Sequence, residues 1–170
     1  PGHRTPAGAR RRPAHGRAGL RDERRTGRVA MAGRLTRTVK FSARHRYFRR
    51  DWTEERNRTT FGACAEAPGH AHDYLCGVTV SGPVDISTGM IMDLGLLDQI
   101  LADEIVTPFH GRHFNLDVPA FAYGRSIPTG EAVAQYLFPR IAARLPAGTR
   151  LDRVRVQEDS TLHADCTGDA

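Results

Sequence analysis

His70-Ala71-His72-Asp73-Tyr74-Leu75-Cys76-Gly77-Val78-Thr79-Val80-Ser81 alternates without a break. His70, His72, Tyr74, Cys76, Val78 and Val80 fall on one face, and Ala71, Asp73, Leu75, Gly77 and Thr79 on the other. A period of two is the mark of a strand with one face buried. Two histidines one residue apart on such a strand project from the same face. Thr36 to Phe48 repeats the pattern, with Val39, Phe41, Ala43 and His45 on its apolar face. If the two strands share a sheet, His45, His70 and His72 converge on one point. Three neutral imidazoles leave a fourth tetrahedral position open, the arrangement of a catalytic zinc. Exposed or core-satisfied histidines are the competing reading of the same residues.

Outward from these strands the chain divides into short elements. Arg49 to Thr60 is charged, lacks a period and reads as an exposed loop. Gly82 to Gly89 carries turn residues, and an extended stretch resumes briefly at Met90-Ile91-Met92. Asp93 is placed to cap a helix reaching about Thr107. Its Leu94, Leu97, Ile100, Leu101, Ile105 and Val106 fit a 3.6-residue period. Residues 109–128 read as a long loop. Thr129 caps a second helix through about Arg144, with Glu131 in the first turn where the helix dipole favours a carboxylate. Pro139 is expected to kink or shorten it. Leu151 to Glu158 and Thr161 to Cys166 read as two final strands. The order β-β-α-α-β-β predicts an α+β domain, with a largely antiparallel sheet and both helices on one side.

Charge separates the two ends of the 170-residue chain. Residues 1–34 hold ten arginines against Asp22 and Glu23, a net of +8. Residues 35–170 hold 15 basic and 17 acidic residues, a net of −2. The first segment has no aromatic residue and no large apolar one before Leu20, so it is expected to be disordered. It reads as an over-extended start, with the protein beginning near Met31. A nucleic-acid-binding arm and a transit peptide are the alternatives. No apolar run approaches the roughly 18 residues of a membrane span. Three widely spaced cysteines argue against a disulfide scaffold and for a reducing, cytoplasmic setting.

Two further residues stand out. Cys64 lies six residues before His70, in the glycine-bearing Phe61-Gly62-Ala63-Cys64. A lone buried thiol is inert by default, but beside a metal and an imidazole it could serve as a base. Glu158 puts a carboxylate on the apolar face of a strand, with Val154 and Val156. An unpaired charge there is expensive, so it should meet a donor unless the strand end frays into solvent.

Together these residues resemble the 6-pyruvoyltetrahydropterin synthase / 6-carboxytetrahydropterin synthase family over about residues 36–168. Five ordered anchors carry the resemblance. Phe41-Ser42-Ala43-Arg44-His45 is similar to the family's Phe-Ser-Ala-x-His. Phe61-Gly62-Ala63-Cys64 with His70-Ala71-His72-Asp73-Tyr74 is similar to Phe-Gly-Lys-Cys and His-Gly-His-Asn-Tyr. Thr88-Gly89-Met90-Ile91-Met92-Asp93-Leu94, Pro128-Thr129-Gly130-Glu131 and Val156-Gln157-Glu158 follow in order.

The resemblance implies a tunnelling fold, a four-stranded antiparallel sheet with two helices on one face. Such subunits trimerise into a barrel and stack as a homohexamer. It implies Zn2+ on His45, His70 and His72, and a lyase acting on 7,8-dihydroneopterin triphosphate. Cys64 would be the general base. Glu158 would anchor the pterin, with Thr129 and Glu131 lining its pocket. One departure is marked: the family's catalytic Asp-His pair aligns with His110-Gly111, so a relay would need His110 or His113. The expected product is 6-carboxytetrahydropterin, on the path to 7-deazapurines and queuosine. The alternative is the 6-pyruvoyl product, which the six-residue step from Cys64 to His70 resembles. A relative that binds zinc and pterin without turnover is the alternative of another class. No nucleic acid is expected as partner except through the N-terminal arm.

Overall fold

The structure is a computed structural model that describes Gly2 and residues 31–168. The basic N-terminal segment therefore lies outside the described residues, except for Gly2 and its last four residues.

Two long strands form the spine. β1 (Ala32–His45) and β2 (His70–Pro83) pair antiparallel along their whole length. β4 (Arg150–Gln157) pairs antiparallel with β2, and β5 (His163–Cys166) with β4. A two-residue strand, β3 (Arg112–His113), adds to the free edge of β1 in parallel. The sheet order is β3-β1-β2-β4-β5, so the expected four antiparallel strands are joined by a short parallel fifth. β1 starts at Ala32, within the segment expected to be disordered, and stops at His45 rather than Phe48.

The alternation read from the sequence is the burial pattern. Phe41, Tyr74, Cys76, Val78, Val80, Val154 and Val156 line the inner face, each at most 2% exposed. Against them pack Leu97, Ile100, Leu101, Ile105 and Phe109, then Val133, Leu137 and Ile141. Phe41 stacks on Tyr74 at 4.8 Å between ring centroids, and Phe109, Phe114 and Phe121 close the aromatic layer.

Several expectations about the elements are corrected. The charged segment after Arg49 is not all loop: α1 (Glu54–Phe61) forms there. Thr53 caps it, its hydroxyl accepting from the Arg56 amide at 3.1 Å, and Glu54 and Glu55 occupy the first turn. It presents no apolar stripe to read; its buried residue is Asn57. Met90-Ile91-Met92 forms bends, not a strand.

Asp93 does cap a helix, its carboxylate accepting from the Leu96 amide at 2.8 Å. That helix runs as α2 (Leu94–Leu101), a π-helical turn (Ala102–Val106) and α3 (Thr107–Phe109). The wide turn falls just before Pro108, which has no N–H and would crowd the carbonyl four residues back. Beyond it Phe109 is fully buried in the core, while Leu94, in the first turn of α2, is 43% exposed.

Residues 109–128 are not a plain loop. They include β3, α4 (Phe114–Asp117) and a 3-10 turn (Pro119–Phe121). α5 (Gly130–Ala142) is capped by Thr129 and continues three residues past Pro139, ending before Arg144. β4 keeps the length read for it but lies one residue earlier, so Glu158 falls just beyond it, and β5 is two residues shorter than read.

Candidate functional site

Register places the histidines. Along β1 and β2, Phe41 faces Tyr74, Ala43 faces His72 and His45 faces His70. Residues directly opposite in an antiparallel pair carry side chains about 4.5–5.5 Å apart at Cβ. The three imidazoles therefore meet at one end of the spine. Ring centroids lie 4.7 Å apart for His45–His70, 4.9 Å for His45–His72 and 4.7 Å for His70–His72. His45 Nε2 is 3.2 Å from His70 Nε2. The Tyr74 hydroxyl lies 2.9 Å from His45 Nδ1 and orients that ring from behind. Burial, then the neighbouring His70 and His72, pushes His45 down to about 3. His70 is lowered by burial first and His72 second. Both shifts favour the neutral ring, the state that offers lone pairs to a cation.

Cys64 sits in a 3-10 turn (Gly62–Ala65) that follows α1. Its Sγ is 3.9 Å from His70 Nε2. Burial first, and then Glu158, pushes the thiol up. Two overlapping sets could hold a metal ion: His45 with Cys64 and His70, and His45 with His72 and Glu158. The ligand atoms within each set lie within 4.8 Å of one another. His72 Nε2 is buried and has no hydrogen-bond partner among the described residues. An orphaned buried nitrogen is costly, and a bound cation would remove the cost. The residues present thus fit a soft to borderline divalent ion such as zinc.

Glu158 closes the adjoining pocket, about 230 Å³ in volume. Tyr47, Thr129, Gly130, Glu131, Val156 and His163 are among its walls. Tyr47 donates its hydroxyl to Glu158 Oε1 at 3.1 Å, which is the donor that this carboxylate was expected to need. Burial raises the Glu158 carboxyl, and neighbouring Glu131 adds to the rise. Gly130 makes the approach of α5 possible. A Cβ there would stand 3.3 Å from Ala164 Cβ and 3.8 Å from Glu158 Oε1. A larger cavity of about 470 Å³, lined by Arg34, Thr36, Thr79, Arg150 and Arg153, contains none of these groups.

The candidate relay residues are engaged with other partners. His110 Nδ1 accepts from the Ser42 amide at 3.2 Å. His113 Nε2 lies 2.8 Å from the Pro68 carbonyl oxygen, and its Nδ1 accepts from the Asn115 amide at 3.2 Å. Among the described residues, neither imidazole makes a hydrogen bond to Cys64.

A family model described as 6-pyruvoyl tetrahydropterin synthase matches residues 34–169. The chain belongs to this family. The 6-pyruvoyl tetrahydrobiopterin synthase of Homo sapiens is 36% identical over 124 residues, covering 73% of this chain and 83% of that protein. The enzyme of that name from Drosophila melanogaster is 32% identical over 124 residues, covering 73% of each chain. The structure of Caenorhabditis elegans 6-pyruvoyl tetrahydropterin synthase superposes with a TM-score of 0.75 at 27% identity, over 82% of this chain and 97% of that one. The fold is that of these synthases.

Sequence reasoning missed three contributors. Tyr47 continues the face of Phe41, Ala43 and His45, but nothing near it in the sequence signals its contact with Glu158. Asn115, 5% exposed, accepts from the Arg46 amide at 2.8 Å and donates to the Phe121 carbonyl at 3.2 Å. Gly130 was read only as the variable position of a motif.

Proposed function

We propose that this chain is a metal-dependent lyase that eliminates triphosphate from 7,8-dihydroneopterin triphosphate. The observation that carries the reading is the meeting of Cys64, His45, His70 and His72 beside a pocket closed by Glu158. Family membership supports it. His45, His70 and His72 would hold zinc, with Cys64 or Glu158 near enough to complete the set. Bound there, zinc would act as a Lewis acid toward the side-chain hydroxyls and the charge that develops on them.

The chain's own groups do the rest. Glu158 accepts N–H donors of the pterin edge in a charge-assisted contact. Thr129 and Glu131 line the same pocket and orient the ring. Cys64, as thiolate, takes the carbon-bound proton of the substrate side chain; triphosphate leaves with the electrons of its C–O bond. In the metal-free chain burial keeps Cys64 protonated, so a cation beside it would favour the thiolate.

The sequence alone favoured the 6-carboxy product; the names of the relatives shift the proposal to the 6-pyruvoyl compound. The 6-carboxy product, and a place in 7-deazapurine formation, is the other outcome that the same assay reads. The second reading is a pterin- and zinc-binding relative without turnover, favoured by the absence of a hydrogen bond from His110 or His113 to Cys64. Triphosphate release by the purified chain decides between them. Release that disappears in Cys64→Ala supports the lyase; no release from the parent chain, with pterin still bound, supports the binder. Assembly as a homohexamer is proposed with the family, and sedimentation at six times the chain mass of 18.8 kDa would show it.

A further inference from the structure

The segment between Cys64 and His70 is short, exposed in part, and carries a candidate base at one end and a candidate ligand at the other. Four of its carbonyl oxygens are held from outside, by Arg44 of β1, by Arg46 and Tyr47 just past that strand, and by His113 of β3. The Tyr47 amide donates to Cys64 O at 2.8 Å, and Arg46 Nε donates to Ala65 O at 2.6 Å. Arg44 Nη1 donates to Gly69 O at 2.8 Å. His113 Nε2 meets Pro68 O at 2.8 Å. Gly69, at φ +93°, lets the turn lie against β1; a Cβ there would collide with the His45 carbonyl.

The chemistry of His113 is set by its two partners. Pro68 O can only accept, so Nε2 carries the proton and donates. The Asn115 amide can only donate, so Nδ1 must present its lone pair. This is one tautomer of the neutral ring, with both nitrogens engaged. Accepting a proton at Nδ1 would break one of the two bonds. β3 places it: His113 pairs with Arg44, next to ligand His45 on β1.

We propose that His113 is a positioning residue and not the missing proton relay. With Arg44 it clamps the Pro68 and Gly69 carbonyls, and so fixes where His70 and Cys64 stand relative to His45. The inference rests on the reading of His45, His70 and His72 as a metal site, and its main test reads the metal rather than turnover.

The experiment measures zinc affinity of the full chain by competition with a chromophoric chelator, for the parent and for His113→Gln, His113→Asn and His113→Ala. Gln reaches as far as Nε2 and can donate to Pro68 O, but it cannot carry a proton in a relay. Asn reaches only as far as Nδ1. Loss of a group that orients a metal ligand lowers affinity by roughly 10- to 100-fold. The expected result is a loss of about that size for Ala and Asn, with Gln within about threefold of the parent. Alkylation of Cys64 in the zinc-loaded protein is expected to change rate in Ala and Asn and not in Gln. Thermal melts of each variant separate this from failure to fold, since Gln serves as the folded reference. Parent-like affinity in folded His113→Ala would overturn the clamp. So would parent-like affinity in Gln together with a drop in turnover of 100-fold or more, because that is the behaviour of a relay. A parent that binds zinc but releases no triphosphate would sink the lyase reading while leaving the affinity comparison intact.

Discussion

At the scale of single residues, the site pairs neutral imidazoles with one buried carboxylate. Glu158 is 9% exposed and, among the described residues, has one side-chain hydrogen-bond donor, Tyr47, for its two oxygens. A ligand with N–H groups supplies what is missing. A contact of this kind, made equally in the ground state and transition state, changes KM and leaves kcat alone. Glu158→Gln keeps the shape and removes the charge. A charge-assisted hydrogen bond contributes about 1.5–3 kcal/mol, so KM should rise roughly 10- to 100-fold with kcat within a few-fold. Steady-state kinetics check it; a change in kcat alone would place Glu158 in the chemistry instead. Cys64 should show the converse. In Cys64→Ala turnover should fall by about 10²–10⁴, as expected for loss of a general base, with KM within a few-fold of the parent's. Glu158 was legible because a charge on an apolar strand face demands a partner. Tyr47 was not, because it follows the last paired residue of β1 and its partner lies 111 positions away.

At the scale of elements, α1 shows why one region was misread. A helix is found in sequence by its apolar stripe, and α1 has none. Its anchor is polar. Asn57, fully buried, accepts from the Arg49 amide at 2.7 Å and donates to the Arg49 and Thr53 carbonyls at 2.9 and 3.1 Å. The side chain stands in for backbone partners that the Arg49 bend lacks. Asn57→Ala would strand those groups at a cost of about 2 kcal/mol. Chemical denaturation should show that loss with an unchanged slope. Stability within 0.5 kcal/mol of the parent would mean that the bend is solvated. The cap Thr53, followed by two glutamates, was the available sequence signal. The π turn in the second helix had a signal too, in Pro108, but an alternative end at Thr107 fitted the same residue.

At the scale of the whole molecule, the sheet edge contributes one small source of acid sensitivity. Arg155 donates to both oxygens of Asp165, Nε at 2.7 Å and Nη2 at 2.6 Å, across β4 and β5. These bonds hold the Asp165 carboxyl below the usual carboxylate range. A group whose pKa is lower folded than unfolded stabilises above the unfolded value, and the gain is lost as pH falls through the folded one. Both side chains are about a third exposed, at 34% and 29%, so the pair contributes only about 0.5 kcal/mol. Asp165→Asn should melt slightly below the parent at pH 6, and the gap should close on acidification below about pH 4. Thermal scans at several pH values test this; a gap that widens in acid would reverse the assignment. No helix among the described residues is long and apolar enough to cross a membrane.

The sequence by itself determined which side chains share a face. Alternation over residues 36–48 and 70–81 put His45, His70, His72, Phe41 and Tyr74 on one surface, and Asp93 and Thr129 announced their helices. Periodicity is local, and neighbouring residues suffice to reveal it. Only the tertiary structure decided what those faces meet. Pairing of His45 with His70, the fall of Cys64 beside them, the Tyr47–Glu158 contact and the seat of His113 on Pro68 all depend on register between segments far apart in the chain. Register is set by packing the whole inner face at once, and no short stretch of residues contains that information.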